Sequence, residues 1–122
     1  MTAALIALAG SLGAISRYVL DGHIKTRYAY TFPLATIIIN VSGSLLLGII
    51  SGVLLKHHGF AGAEAVIGTG FCGGYTTFST ASFETVRLIE ERRYTAATGN
   101  AVGSLLATYI AAVLGIAIGQ LF

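Results

Sequence analysis

A run of glycine and hydroxyl residues interrupts one apolar segment of this chain and limits its possible folds more than any other feature. Residues 70–80, GFCGGYTTFST, include three glycines and four serine or threonine residues. In a membrane such a run breaks a helix, and the freed backbone must lie within protein or line a wet cavity, because lipid cannot hydrogen-bond its N–H and C=O groups. Discontinuous helices of this kind present carbonyl oxygens to ions. The run therefore predicts an ion site.

The rest of the chain is typical of a membrane protein. Of its 122 residues, 55% are hydrophobic and only 10% are charged, whereas a soluble domain carries about 25% charged residues. Four apolar segments are each long enough to cross a hydrocarbon core of about 30 Å. They lie near residues 2–20, 32–55, 61–80 and 96–121. We expect an all-α membrane protein in which residues 1–122 form one four-helix unit, with the third transmembrane helix broken near 73–79.

Several other classes of protein are excluded by the sequence. The first apolar segment lacks a basic flank and precedes three more, so we expect a retained helix rather than a signal peptide. A single cysteine, Cys72, excludes an intrachain disulfide. The loop histidines His23, His57 and His58 have no carboxylates at metal-ligand spacing. The net charge of +2 is too small to indicate nucleic acid as a partner. We expect no enzyme activity, because the few acidic residues lie near span ends or in loops.

Pairs of glycines four residues apart predict close helix packing. Small residues on one helix face let two backbones approach in lipid. Packing within the chain explains any single pair, but four pairs together favour a tight oligomer. The pairs are Gly48/Gly52, Gly70/Gly74, Gly99/Gly103 and Gly115/Gly119. The amphipathic segment 81–95 is expected to continue the third helix to the interface, with its Glu and Arg side chains mostly solvated and locally paired.

Polar residues inside the spans have two interpretations each. Arg17 either snorkels to the interface or faces the water-filled end of a pathway, where it would form an anion vestibule. Asn40 is either a contact between helices or a ligand contact. Ser104 and Thr108 form a polar stripe with Asn100, but Ser and Thr also bond to their own helix at little cost.

Residues 10–14 (GSLGA), Arg17-Tyr18, Pro33, 40–44 (NVSGS) and, above all, 70–80 form a pattern. With these residues the sequence resembles the CrcB/Fluc family of fluoride channels over essentially its full length. The resemblance implies four-helix subunits in an antiparallel, dual-topology-type dimer with two fluoride pathways and a structural sodium ion at the centre. It implies passive fluoride export across the cell membrane.

The resemblance also assigns residues to these sites. It implies that the backbone carbonyls of Gly73 and Thr76 bind sodium. Fluoride is small and tightly hydrated, so its pathway must offer donors such as amides, hydroxyls and the positive edges of phenylalanine rings. The fluoride pathway then comprises Asn40, Phe78, Ser104 and Thr108.

One residue departs from the family pattern. The family continues the motif with a second pore phenylalanine, and this chain has Ala81 at that position. Phe83 lies two residues later, about 200° around a helix, so it cannot replace the ring directly. The pathway that this ring would line is therefore altered in this subunit.

The distribution of charge bears on the partner. Six of the seven Lys and Arg residues lie at or near the loops 21–31 and 81–95, and only Lys56 lies on the side of the termini. This bias favours one orientation, with the termini outside. Both a homodimer and a heterodimer with an oppositely oriented paralogue stay open. The alternatives in function are a largely non-conducting partner subunit and a small multidrug transporter, which would need a membrane glutamate that the first helix lacks.

Overall fold

In a computed structural model, the described residues 1–28, 32–57 and 61–122 contain only helices as regular elements, which confirms the all-α prediction. The first two helices are continuous, and the third and last include π-helical turns at Glu64–Cys72 and Gly99–Gly103. The elements are α1 (Thr2–Arg27), α2 (Leu34–Lys56), α3 (consecutive pieces Ala61–Ala63, Glu64–Cys72 and Gly73–Tyr75), α4 (Phe78–Glu90) and α5 (Tyr94–Gly119).

Three of these helices, α1, α2 and α5, are long and apolar enough to cross a membrane. Most of their large apolar side chains face outward, as Leu8 and Leu105 do at 63% and 68% exposure. Such an apolar outer surface is suited to contact with lipid or with a partner protein rather than with water. α1 continues seven residues beyond its predicted end at 20, and an ion pair of 2.8 Å between Asp21 and Lys25 bridges one turn of the extension.

Glycines set the distance between α2 and α5. A Cβ atom at Gly48, Gly52, Gly115 or Gly119 would lie under 3.0 Å from backbone atoms of the opposing helix. Gly70 and Gly74 meet the α1 backbone in the same way, whereas Gly99 and Gly103 have nothing within 4 Å. Three of the four glycine pairs are therefore used inside the chain, and their number is not evidence for an oligomer.

α4 packs one face against the bundle. Leu88 and Glu84, one turn apart, are 0% and 7% exposed. The helix ends where Arg92 adopts a left-handed conformation, with φ of 57°, and the N–H groups of Arg92 and Arg93 bond back to Ile89 and Leu88. The expectation of a solvated surface holds for the pairs that Glu91 makes with Arg87 (3.6 Å) and Arg93 (3.7 Å), but it is wrong for Glu84.

Candidate ion site at the helix break

The backbone between α3 and α4 is extended at two residues. Thr76 has φ and ψ of −80° and 163°, and Thr77 has −150° and 126°. α3 ends at Tyr75 and α4 begins at Phe78, with the Thr77 hydroxyl accepting a hydrogen bond from the Thr80 N–H as the cap of the new helix. The interruption lies within the segment 73–79 that the glycine and threonine run marks.

Asn40 of α2 holds this extended backbone through two hydrogen bonds. Its Nδ2 donates to the Thr77 carbonyl at 2.8 Å, and the Thr77 N–H donates to its Oδ1, also at 2.8 Å. An asparagine amide carries two N–H donors, so one donor of Asn40 is not used by Thr77. The residue is thus a contact between helices, and it retains a donor for a ligand.

The break changes the hydrogen bonding of the two carbonyls that the resemblance assigns to sodium. In a continuous helix the Gly73 carbonyl accepts from the Thr77 N–H, and the Thr76 carbonyl accepts from the Thr80 N–H. Here the Thr77 N–H donates to Asn40, and the Thr80 N–H donates to the Thr77 hydroxyl at 3.2 Å. Both carbonyls therefore lose their helical donors, and such oxygens are the ligands that a hard cation prefers.

Close packing against α2 supports the same turn. A Cβ atom at Gly43 would lie 2.3 Å from the Thr76 methyl carbon and 3.1 Å from the Tyr75 ring. The Tyr75 hydroxyl lies 2.9 Å from that of Ser42, and the ring stacks on Phe71 with a 5.8 Å centroid separation. The aromatic residues therefore fix the last turn of α3 before the chain extends.

Two cavities adjoin the break and share the residues Asn40, Thr77, Phe78 and Thr108 as walls. Their volumes are about 490 and 430 Å³. The first also touches Gly73 and Thr76; the second extends past Ala81 to Thr85, Asn100 and Ser104. All four predicted pathway residues, Asn40, Phe78, Ser104 and Thr108, line the second cavity, and Phe78 is 88% exposed.

The hydroxyls on α5 are bonded to their own helix. Ser104 Oγ donates to the Asn100 carbonyl, and Thr108 Oγ1 donates to the Ser104 carbonyl at 2.8 Å. In this arrangement they offer lone pairs rather than protons to the cavity. Of the predicted pathway residues, Asn40 with its second N–H and Phe78 with its ring edge are the ones that still have a donor for an anion.

Arg17 lies at a third cavity of about 160 Å³ between α1, α2 and α4. Asp21, Thr36, Thr77 and Thr80 also line it. The Arg17 Nε is buried and has no hydrogen-bond partner in the described part of the chain. The cavity adjoins the break at Thr77 and Thr80. This position fits an anion vestibule, and the role of Arg17 there stays a prediction.

Thr36 and Glu84 are polar residues of this region that the sequence reasoning missed. The Thr36 hydroxyl donates to Glu84 Oε1 at 3.0 Å, and both residues are buried. Burial raises the pKa of Glu84 above its ordinary value of 4.5, against the lowering effect of the Thr36 hydrogen bond. Helical spacing could have predicted that Glu84 is buried, because this residue lies one turn before Leu88 on the apolar face of α4.

Side-chain ligands for a metal are not grouped in the described residues, where no three His, Cys, Asp or Glu side chains lie together. The loss of helical donors at Gly73 and Thr76 fits the binding of a cation by backbone carbonyls. The arrangement suits sodium, which carries a low charge and takes oxygen ligands.

Comparison with known proteins agrees with the resemblance in the sequence. The family described as CrcB-like protein, Camphor Resistance (CrcB), matches residues 4–116. The fluoride-specific ion channel FluC 1 of Leifsonia xyli subsp. xyli is 48% identical over 116 residues, which are 95% of this chain and 85% of that protein. The fluoride-specific ion channel FluC 2 of Cutibacterium acnes is 46% identical over 121 residues, 98% of each chain. The match covers nearly the whole sequence, and the chain belongs to the CrcB family.

Proposed function

We propose that the chain is a subunit of a fluoride-specific ion channel of the cell membrane, which releases fluoride passively and lowers its cytoplasmic concentration. The relatives are named for this activity. The observation that carries the proposal is the position of Asn40, which lines both cavities at the break and uses only one of its two amide donors on Thr77. The function is transport rather than catalysis.

The pathway residues act by replacing water around the anion. The second N–H of Asn40 donates to fluoride, and the Phe78 ring presents its positive edge. Ser104 and Thr108 contribute after their hydroxyl protons rotate away from the helix carbonyls, which costs each one a local hydrogen bond. Arg17 raises the local concentration of anions at the vestibule through its charge.

In the proposed assembly, residues 61–80 with the break form the fourth, discontinuous span of each subunit. Two oppositely oriented subunits meet at their helix breaks. The carbonyls of Gly73 and Thr76 from both subunits hold a structural sodium ion. A buried cation lowers the cost of bringing anions into the membrane. The donor exchange at Thr77 and Thr80 supports this assignment, because it frees these two carbonyls in particular.

Fluoride efflux from proteoliposomes tests the main proposal. Vesicles are loaded with fluoride or chloride, and release is followed with ion-selective electrodes. We expect fluoride release without comparable chloride release. Equal release of chloride, or proton-coupled transport of cationic drugs as in small multidrug transporters, would contradict the proposal.

Gly73 offers a test of the sodium site and the dimer. A Cβ atom at Gly73 meets nothing within 4 Å in a single chain, and the residue is helical. Gly73→Val should therefore leave the fold of one chain largely intact but weaken dimerisation and its dependence on sodium. Exchange of sodium for N-methylglucamine should lower the thermal stability of the wild-type assembly. No response to sodium in the wild type would exclude the site.

A second candidate function is a largely non-conducting subunit that completes the pore of a paralogue. Ala81 favours it, because it lines the 430 Å³ cavity where the family pattern places a ring. In this case, the chain alone conducts poorly and conducts well only with the paralogue. Ala81→Phe should then restore flux to the chain alone, whereas full flux from the wild-type chain alone would exclude this candidate.

A further inference from the structure

Asn100 is a fully buried amide in the π-helical turn of α5. It is 1% exposed and lies on the wall of the 430 Å³ cavity, on the side of Ala81 away from Asn40. Its Nδ2 donates to Thr85 Oγ1 at 2.7 Å, and its second donor contact is to the Ala81 carbonyl at 3.4 Å. The two asparagines of the chain thus line one cavity, together with Phe78.

The second N–H of Asn100 is poorly satisfied where it lies. A distance of 3.4 Å exceeds the usual range for an N–H···O bond. The acceptor is also shared, because the Ala81 carbonyl accepts from Thr85 Oγ1 at 2.9 Å and belongs to the helical ladder of α4. This donor is therefore available to a ligand at small cost, while the bond to Thr85 keeps the amide in place.

Ala81 gives an anion room to reach this donor. The methyl side chain leaves the cavity open between α4 and α5, where Thr85 and Ser82 also form the wall. Both of those hydroxyls donate to carbonyls of their own helix, at 2.9 Å each. Asn100 is therefore the group at this end of the cavity with a proton to offer, and a small, hard anion is the ligand that needs it.

We propose that Asn100 is a second amide donor to fluoride in this subunit, at the part of the pathway that Ala81 opens. The inference rests on the proposed function and assigns to this chain two amide positions, Asn40 and Asn100, along one anion path. Thr85 acts as a positioning residue, since it accepts the 2.7 Å hydrogen bond that orients the amide.

Side-chain NMR tests the proposal without requiring conduction. The chain has two asparagines and one glutamine, Gln120, so ¹⁵N labelling of side-chain amides in the full-length protein gives three NH₂ groups. Asn40→Asp and Asn100→Asp assign the two asparagine signals. Sodium fluoride is titrated against sodium chloride at equal ionic strength. We expect fluoride, and not chloride, to shift the signals of both Asn40 and Asn100.

The outcomes separate this inference from the proposed function. A fluoride shift at Asn40 alone overturns the role of Asn100 and leaves the channel proposal standing. A shift at neither asparagine overturns both. In an assembly that conducts as the wild type, Asn100→Leu, which removes the amide donor without adding a charge, should lower fluoride flux at least about tenfold, as expected for loss of one hydrogen bond to a charged group. Thr85→Val should leave Asn100 able to respond to fluoride but broaden or displace its signal, because the positioning bond is lost.

Discussion

The side-chain amide of Asn40 and the backbone of Thr77 exchange two hydrogen bonds of 2.8 Å across 37 positions of sequence. The amide satisfies one N–H and one C=O that the extended backbone would otherwise leave unpaired at membrane depth, where each unpaired group is costly. The position of the break therefore depends on α2 as well as on the local sequence of α3 and α4.

Replacing Asn40 should destabilise the break. Asn40→Leu removes both bonds to Thr77, and each unpaired backbone group costs about 1–3 kcal/mol. We expect a loss of stability of about 3 kcal/mol and much faster hydrogen exchange at the Thr77 amide. Thermal unfolding by circular dichroism and exchange by NMR provide the measurements.

Ser42→Ala is the matched control on the same helix. Ser42 is exposed and contacts the Tyr75 hydroxyl at 2.9 Å, but it bonds no backbone group of the break. Its loss should change stability by less than about 1 kcal/mol. Equal effects of the two substitutions would contradict the bracing role of Asn40.

The extended residues Thr76 and Thr77 lie in the segment that the sequence marks, but the cause of their extension lies elsewhere in the chain. Three glycines and four hydroxyl residues in 70–80 marked a segment that would leave helical geometry. Which of its residues extend was decided by a partner distant in sequence, since Asn40 takes the Thr77 N–H. Single-residue propensities contain no information on such a contact. The resemblance to the family supplied the assignment of Gly73 and Thr76 that propensity could not give.

The contact between Gly43 and Thr76 predicts a rescue. Gly43→Ala places a methyl group 2.3 Å from the Thr76 methyl carbon, and overpacking of this kind costs about 1–3 kcal/mol. Thr76→Ser removes that methyl group and keeps the hydroxyl that donates to the Cys72 carbonyl at 2.8 Å. We expect Thr76→Ser alone to be mild and the double variant to be more stable than Gly43→Ala. If thermal unfolding shows that the stability losses of the two single variants add up in the double variant, the methyl contact is not the source of the strain.

The glycines between α2 and α5 predict different effects for the same substitution. Gly48→Ala drives a Cβ atom against the Ala112 carbonyl, under 3.0 Å away. It should lower stability by about 2 kcal/mol. Gly22→Ala on α1 meets nothing within 4 Å and should raise stability by about 0.5–1 kcal/mol, because alanine favours the helix. Thermal scans of the two single variants compare the effects, and a tolerated Gly48→Ala would mean that the helices are not in close contact.

Glu84 shows where the sequence reasoning failed. The density of charged residues in 81–95 indicated a solvated helix, and that holds for the pairs around Glu91. Position on the helix decides burial more than composition does, and Glu84 shares its face with the fully buried Leu88. A period of 3.6 residues applied to the whole segment could have found this residue, although not its hydrogen bond with Thr36.

The raised pKa of Glu84 predicts a pH dependence of stability. Burial favours the neutral carboxyl group in the folded state, so its contribution is fully present below the ordinary pKa of 4.5 and is lost as the pH rises through the raised value. Glu84→Gln keeps an oxygen that accepts from Thr36 and carries no charge. The variant should be at least as stable as the wild type at neutral pH and less sensitive to pH above 4.5. Thermal unfolding at a series of pH values measures this, and identical pH profiles would show that Glu84 is not the titrating group.

The basic residues lie at opposite ends of the helices in unequal numbers. Lys56 donates to the Gln120 carbonyl at 3.2 Å, which places the end of α2 beside the C-terminus. Lys25, in the last turn of α1, and Arg87 of α4 line one small cavity at the other end. Lys56 and these two residues therefore lie at opposite ends of α2, which begins at Leu34 beside this cavity. In the sequence the two groups contain one residue and six residues.

Such a separation predicts a single orientation in the membrane. Lys and Arg near the ends of spans favour the cytoplasm, so the C-terminus should lie outside and the loop between α4 and α5 inside. Reporters fused to the C-terminus that are active on opposite sides of the membrane measure this, and we expect signal from the outer reporter only. Arg92→Gln with Arg93→Gln should weaken the bias, whereas Arg92→Lys with Arg93→Lys, the matched control, should preserve it.

A homodimer of oppositely oriented copies requires insertion in both orientations, because each copy must reach the membrane in its own orientation. Equal signals from both reporters, together with robust flux from this chain alone, would exclude the heterodimer, whereas a one-sided signal would require an oppositely oriented partner in any antiparallel assembly.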